Sequence, residues 1–343
     1  MTGGLPRVSI IVPCHNAAPY LRECMDSLRT QTMQEIEIVC IDDGSVDETG
    51  AILSEYAARD DRVQVITFRE NRGVSCARNA GLRAARGAYI GFCDADDWAD
   101  AEMYALLYHA AQGADGALCA VKKHYSAQRI DTVELPWPDG TRFDTHGVRE
   151  VLIPSMLARE TDVDALPVSG YTPRNLFRRE VLCGHTFRED IHYAEDLLFL
   201  VEALLGVQSF AVVGRAAYHY RFTGGSVTKR YSPYVPESHE KCHAALDAAF
   251  VREGLDYAAR MQIRRRKSAL DAVKNLCLPG TPFSPAERTR RIRAYLRRKD
   301  VRALFAPVRI GRLTGTLRLK YGMMKYRQSL LLMLFFSYVF KNR

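Results

Sequence analysis

No apolar run in this chain reaches the ~20 residues that a membrane-spanning helix needs. The longest, Leu330-Leu331-Leu332-Met333-Leu334-Phe335-Phe336 followed by Tyr338-Val339-Phe340, stops well short of that. The segment Met1 to Pro6 has neither the basic nor the apolar stretch of a secretory leader, so a protein that is not exported is expected. The nine cysteines are odd in number, have no Cys-x-x-Cys spacing, and mostly sit in apolar runs such as Ile38-Val39-Cys40-Ile41 and Ile90-Gly91-Phe92-Cys93. That pattern argues against a disulfide scaffold and for reduced core thiols in a cytosolic protein. There is no internal repeat and no low-complexity tract. Acidic residues are scarce towards the C-terminus: from Arg260 onward lie 22 of the 48 Lys and Arg but only 3 of the 40 Asp and Glu. The body is therefore acidic and the tail strongly basic, which suits a polyanion, either an anionic membrane surface or nucleic acid, or else a set of solvated helix faces. Few aromatics interleave with the tail's arginines before position 320, so no base-stacking surface and no nucleic-acid partner are expected.

An apolar fraction of 47% over 343 residues gives room for one large domain and a smaller appendage. Val8-Ser9-Ile10-Ile11-Val12 reads as a buried strand, closed by Pro13, which has no backbone donor. Tyr20, Leu21, Cys24, Met25 and Leu28 then recur at helical spacing to about Thr30. The unit repeats: strand 36–41, helix 47–59, strand 63–68, helix 74–85, strand 89–93. Strands alternating with helices imply a mostly parallel, Rossmann-like α/β sheet with helices on both faces, and ligands in such sheets bind beyond the carboxyl ends of the strands. A helix near 101–111 and a strand near 117–121 follow. Residues 126–175, broken by Pro136, Pro138, Pro154, Pro167 and Pro173, read as loops and short helices over the site. Helical periodicity returns at Leu197 to Leu205, with two short strands expected at 210–213 and 217–220. The expected division is a catalytic domain over 1–229 and a basic helical region over 230–343.

Three polar clusters each follow a predicted strand: Pro13-Cys14-His15-Asn16, Asp42-Asp43-Gly44-Ser45 and Asp94-Ala95-Asp96-Asp97. In a parallel sheet these loops meet at one edge, where gathered carboxylates repel one another unless a cation offsets them. Taken singly, each cluster could be a helix N-cap contributing about 1 kcal/mol. A nucleotidyltransferase on a similar sheet is the alternative enzyme class, but the Gly-rich loop around a basic residue that such enzymes carry is missing here.

The stretch Val8 to Trp98 strongly resembles the family-two glycosyltransferases of the A-type fold, in the form found in bacterial surface-polysaccharide assembly. The residues that carry the likeness are Ile10-Ile11-Val12-Pro13-Cys14-His15-Asn16, Ile41-Asp42-Asp43-Gly44-Ser45-Val46-Asp47-Glu48-Thr49, Asn71-Arg72-Gly73, Ala77-Arg78-Asn79-Ala80-Gly81 and Asp94-Ala95-Asp96-Asp97-Trp98. The likeness continues more loosely to about Lys229. It implies a nucleotide-sugar pocket lined by Pro13, His15 and Asn16, with Asp43 accepting from the imide of uracil and Asp42 either supporting it or capping the strand. Gly73 lets the chain pass close to the nucleotide. Arg78 would donate to the nucleotide or its phosphates, or pair with one of the aspartates. Ala95 and Asp94 lie against the nucleotide, and Asp96 is the direct ligand of Mn²⁺ or Mg²⁺, with Asp94 and His219 as further metal candidates. The ion that Asp96 would hold has the role of neutralising the charge that grows on the departing diphosphate. By the same likeness Asp196 is the general base and Glu195 its neighbour, tuning it or binding acceptor. Arg221 and Ser226 would hold phosphate oxygens.

A UDP-sugar donor and a glycan or lipid-linked acceptor follow as expected partners. Flanked by Lys320, Lys325, Arg327, Lys341 and Arg343, the apolar segment 330–340 reads as a monotopic anchor on the inner face of the cell membrane, or as a helix packed on the body or on a second subunit.

Overall fold

β-Branched residues at alternate positions put two apolar faces on one strand, and the computed structural model uses both. It describes residues 5–126, 128–157, 170–222 and 230–341, which divide into a sheet unit ending at 222 and a helical unit from 230. In the sheet unit the chain runs β1 (Val8–Cys14), α1 (Ala18–Arg29), β2 (Ile36–Asp43), α2 (Thr49–Arg59), β3 (Val63–Phe68), α3 (Val74–Ala84) and β4 (Tyr89–Phe92). Val8, Ile10 and Val12 face one core layer with Leu21, Cys24, Met25 and Leu28 of α1 and Ile52, Leu53 and Tyr56 of α2. Ile11 and Ile41 point to the opposite face, against α3, where a Cβ on Gly81 would lie 2.3 Å from Ile11 Cγ2. Eight of the nine cysteines are buried, none is in a disulfide, and Cys183 is exposed.

The chain continues through β5 (Trp98–Ala99), α4 (Met103–Ala110), β6 (Gly116–His124), β7 (Ile130–Val133), β8 (Arg142–Asp144), the helical turns α5 (Thr145–Gly147) and α6 (Ile153–Leu157), β9 (Asn175–Arg178), α7 (Glu195–Leu205) and β10 (Ser209–Arg221). The sheet order is β3-β2-β1-β4-β9-β6-β10-β5, with β7 on β6 and β8 on β10. The expected parallel arrangement holds over β3-β2-β1-β4. Beyond β4 the sheet is mixed: β9 runs antiparallel between β4 and β6, β6 and β10 are parallel, and β5, β7 and β8 are antiparallel additions.

The two short strands expected at 210–213 and 217–220 are one strand. Its register on β6 slips between Val213 and Ala216 and again before Tyr218, and Gly214 donates its N–H to Asp139 Oδ1 at 2.8 Å. A bulge keeps the strand continuous where Gly214-Arg215 breaks its apolar pattern. β7 and β8 were hidden within the stretch expected to be irregular, because both are short and mostly exposed, so alternation leaves little trace.

The helical unit comprises α8 (Val235–Arg252), α9 (Ala258–Asn275), α10 (Pro285–Arg297), α11 (Lys299–Phe305), α12 (Gly315–Lys325) and α13 (Ser329–Lys341). Its core gathers Leu270, Val273, Ile292, Leu296, Phe305, Tyr321, Met324, Leu332 and Phe336. Ser284 caps α10, its hydroxyl accepting the N–H of Glu287 at 3.3 Å, while the Glu287 carboxylate pairs with Arg290 and Arg291. No helix among the described residues is long and apolar enough to cross a membrane. The expected domain boundary near Lys229 lies outside the described residues.

Because α3 sits directly on Ile11 and Ile41, Gly81→Val should lower the unfolding free energy by about 3 kcal/mol, read as an earlier urea midpoint with an unchanged slope.

Candidate active site

The loops after β1 and β2 are knitted to each other before any ligand is considered. Asn16, in the left-handed region at φ 49°, donates its N–H to Ser45 Oγ at 3.0 Å and accepts that of Val46 on its side-chain oxygen at 2.9 Å. Ala17 and Ala18 donate to Thr49 Oγ1 and Asp47 Oδ2. His15 Nδ1 lies 2.8 Å from the carbonyl of Asp43, which accepts only, so this nitrogen carries the proton. Nε2 then accepts from Asn16 Nδ2 at 2.9 Å. Pro13 pairs in register with Ile41, and Asp42 Oδ1 accepts the N–H of Ser45. Gly44 is required sterically: at φ 64°, a Cβ there would stand 2.4 Å from the backbone of Glu70.

Asp43 is buried, and its two carboxylate oxygens accept the backbone N–H groups of Arg72 (2.7 Å) and Gly73 (2.8 Å). The β3–α3 loop is thereby fixed to the end of β2. Gly73 has φ 91° and nothing within 4 Å of where its Cβ would be, so it serves the turn and leaves open space beside it.

Arg78 projects from α3 and is almost wholly buried. Its guanidinium donates to Asp94 Oδ1 at 2.9 Å, to Glu195 Oε1 at 3.3 Å and to Asp196 Oδ1. It also lies over the ring of Phe187, 5.2 Å from the centroid. That ring is held by the next residue of α3, since Asn79 exchanges two hydrogen bonds with the backbone of Phe187, and it stacks on Phe199 of α7 at 3.9 Å. Ala194, at φ 67°, turns the chain into α7 at a cost of about 1–2 kcal/mol for a residue with a Cβ. Burial foremost, with Glu195 and Asp94 adding, pushes the Asp196 carboxyl up to about 7 against the pull of Arg78.

Asp96 is half-buried beside Asp94, and these two causes push its carboxyl up to about 6 although Arg221 pulls the other way. Ala95 between them is buried. Asp97 has a different role. Its carboxylate accepts from Tyr218 OH at 2.5 Å and from the Arg221 N–H at 2.7 Å, and Tyr218 OH in turn accepts the N–H of Asp94 at 3.2 Å. The acidic loop is latched to the end of β10 through this buried pair. Arg221 closes the latch, donating Nε to the carbonyl of Asp96 at 2.9 Å, pairing with Glu23 and lying 4.4 Å over Trp98.

His219 has partners of its own. Its Nδ1 is 2.9 Å from His124 Nε2, its Nε2 is 2.8 Å from Asp100 Oδ1, and its ring stacks on Trp98. Ser226 lies outside the described residues.

For a divalent cation, no three His, Cys, Asp or Glu side chains among the described residues converge to hold one unaided. Asp94 and Asp96 offer two hard oxygen ligands, and Asp96 makes no ion pair within the protein among the described residues. This donor set fits an ion of the Mg²⁺ or Mn²⁺ kind, which takes one or two carboxylates and completes its shell with phosphates and water. Sequence reasoning gave no role to Tyr218, Asn79 or Phe187, although Asn79 lies within the Ala77-Arg78-Asn79-Ala80-Gly81 stretch that carries the family likeness; a buried Tyr or Phe has no motif of its own.

Residues 9–161 match the model of the family described as Glycosyl transferase family 2. An uncharacterized glycosyltransferase, EpsJ of Bacillus subtilis, is 33% identical over 97% of this chain and 96% of its own length. The chain belongs to glycosyltransferase family 2. ExoO of Rhizobium meliloti, a succinoglycan biosynthesis protein, is 29% identical over 80% of this glycosyltransferase and 77% of the relative. The fold is also that of Staphylococcus aureus TarS solved with UDP-GlcNAc, with a TM-score of 0.64 and 18% identity over 98% of this chain and 92% of that one.

Arg78→Ala would leave Asp94, Glu195 and Asp196 facing one another without their shared cation. The unfolding free energy should fall by about 3 kcal/mol, measured by chemical denaturation, and Arg78→Lys should recover only part of it, because a single ammonium cannot fork to three carboxylates.

Proposed function

We propose that this glycosyltransferase moves a sugar from a nucleoside-diphosphate sugar, specifically a UDP-sugar, to the hydroxyl of a glycan or lipid-linked acceptor, with inversion at the anomeric carbon. The observation that carries the reading is the buried network in which Arg78 joins Asp94 of the acidic loop to Asp196 and Glu195 at the head of α7. Donor-side and acceptor-side carboxylates thus stand within one side chain of each other. In this reading Pro13, His15, Asn16, Asp42, Asp43 and Gly73 form the nucleoside pocket, and Asp43, with both oxygens oriented by backbone donors, accepts from the base imide. Arg78, Ala95 and Arg221 border the diphosphate, and Ser226 is a further phosphate-binding candidate from the sequence.

Asp96 and Asp94 would hold Mn²⁺ or Mg²⁺; when bound, such an ion offsets the charge that grows on the departing diphosphate. Asp196 takes the proton of the acceptor hydroxyl as that oxygen attacks the anomeric carbon opposite the diphosphate. The C1–O bond to acceptor forms as the C1–O bond to diphosphate breaks, and a single displacement inverts the centre. Burial keeps the Asp196 carboxyl basic, and Glu195 adds to this by like-charge repulsion. ExoO's role in succinoglycan biosynthesis supports a bacterial polysaccharide acceptor, and the basic helical unit over 230–343 supports a peripheral position on the inner face of the cell membrane, where lipid-linked glycans are met.

Titration calorimetry tests the donor side. UDP should bind the parent in the presence of Mn²⁺ and at least tenfold more weakly without the ion or in Asp96→Ala; binding indifferent to both would remove the reading. The base has its own signature. A carboxyl near 7 is a competent base only when deprotonated, so kcat/KM should rise about tenfold per pH unit below about 7 and level off above it, and Asp196→Asn should abolish turnover while UDP still binds.

A further inference from the structure

α13 is apolar on two opposite sides, and only one of them is buried. Leu332, Met333 and Phe336 are buried in the core of the helical unit, whereas Leu330, Leu331, Leu334 and Tyr338 are each more than half exposed. Positions 330, 334 and 338 repeat at a spacing of four, with 331 beside them, so the exposed residues form one stripe along the helix. Leu319 of α12 and Tyr326, just before α13, are also more than half exposed. From Val301 to Arg343 the sequence holds nine Lys and Arg and no Asp or Glu. Arg309, Arg312, Arg318 and Arg327 in this acid-free stretch are exposed.

We propose that the Leu330-Leu331-Leu334-Tyr338 face of α13 docks the enzyme on an anionic lipid bilayer, with the helix lying in the interface plane, its leucines among the acyl chains and the nearby arginines at headgroup level. The inference rests on the membrane-associated reading given above and sharpens it by separating the residues that hold the unit together from those left for lipid. A helix of 13 residues is about 20 Å long, too short to span but long enough to lie in the interface. Charge decides between the possible occupants. A second copy covering the stripe would press its own acid-free basic segment against the first, a like-charge contact, whereas an anionic lipid surface brings the opposite sign.

The experiment uses the full chain, co-sedimented with vesicles of equal parts phosphatidylglycerol and phosphatidylcholine or of phosphatidylcholine alone. The parent should pellet with the anionic vesicles and stay in solution with the neutral ones. Combining Leu331→Glu with Leu334→Glu removes about tenfold in partitioning for each leucine lost, so the bound fraction should collapse. Thermal midpoint and UDP binding should be unchanged, since both residues are exposed and outside the sheet unit. A parent that ignores anionic vesicles overturns the proposal. So does pelleting that survives the double substitution, which would leave the membrane-associated reading standing but not this face. A lipid-free dimer in sedimentation velocity that the same substitutions dissolve assigns the stripe to a second copy and overturns it as well. UDP calorimetry on the same samples reports on the transferase reading separately.

Discussion

The guanidinium of Arg78 is taken out of water and set among Asp94, Glu195 and Asp196, and the two sides of the cleft are joined through it. Removing one cation from water for three anions is favourable only where geometry is good and the remaining donors are used, which is what an arginine fork supplies and a lysine does not. The aromatic pair Phe187 and Phe199 keeps that fork in place from below, and Asn79 fixes Phe187 through its backbone. Position along α3 thus sets both the ionic and the packing contacts: Arg78 meets the carboxylates and Asn79 the backbone of Phe187, while Gly81, one helical turn beyond Arg78, lets α3 settle on β1.

A second constraint acts from the far side of the sheet. The acidic loop after β4 is held by Tyr218 and Arg221, residues of a strand that reaches it only because bulges carry β10 past Gly214 without breaking. Asp97 is consumed by this latch, Asp94 is paired with Arg78, and Asp96 makes no ion pair among the described residues. Neighbouring acids in one short motif therefore differ because each meets a different partner: Asp97 the Tyr218 hydroxyl and the Arg221 N–H, Asp94 the Arg78 guanidinium.

The parallel half of the sheet was legible because β1, β2 and β4 are buried on both faces and α1 and α2 show their stripes: Val8 to Val12 and Leu21 to Leu28 leave little choice. The mixed half was not, since β7, β8 and β9 are three or four residues long and owe their pairing to neighbours distant in sequence. The same division runs through the site. Asp43, Asp94, Asp96 and Asp196 announce themselves as polar residues where apolar strands end or helices begin. Tyr218 and Phe187 have no such signal, because a hydroxyl latch or an aromatic floor is defined by what lies opposite it. His219 is the instructive case: its position in the sequence fits a ligand, but Asp100 and His124 already occupy both ring nitrogens.

The sharing of one guanidinium among three carboxylates has a thermodynamic consequence. An anion that draws Arg78 toward itself weakens the positive charge those acids share, and so raises their appetite for a cation. Linkage makes this reciprocal: whatever factor a divalent ion adds to the affinity for a diphosphate, the diphosphate adds to the affinity for the ion. Any cooperativity between such a pair of ligands would be set by the sharing of one guanidinium among the three acids.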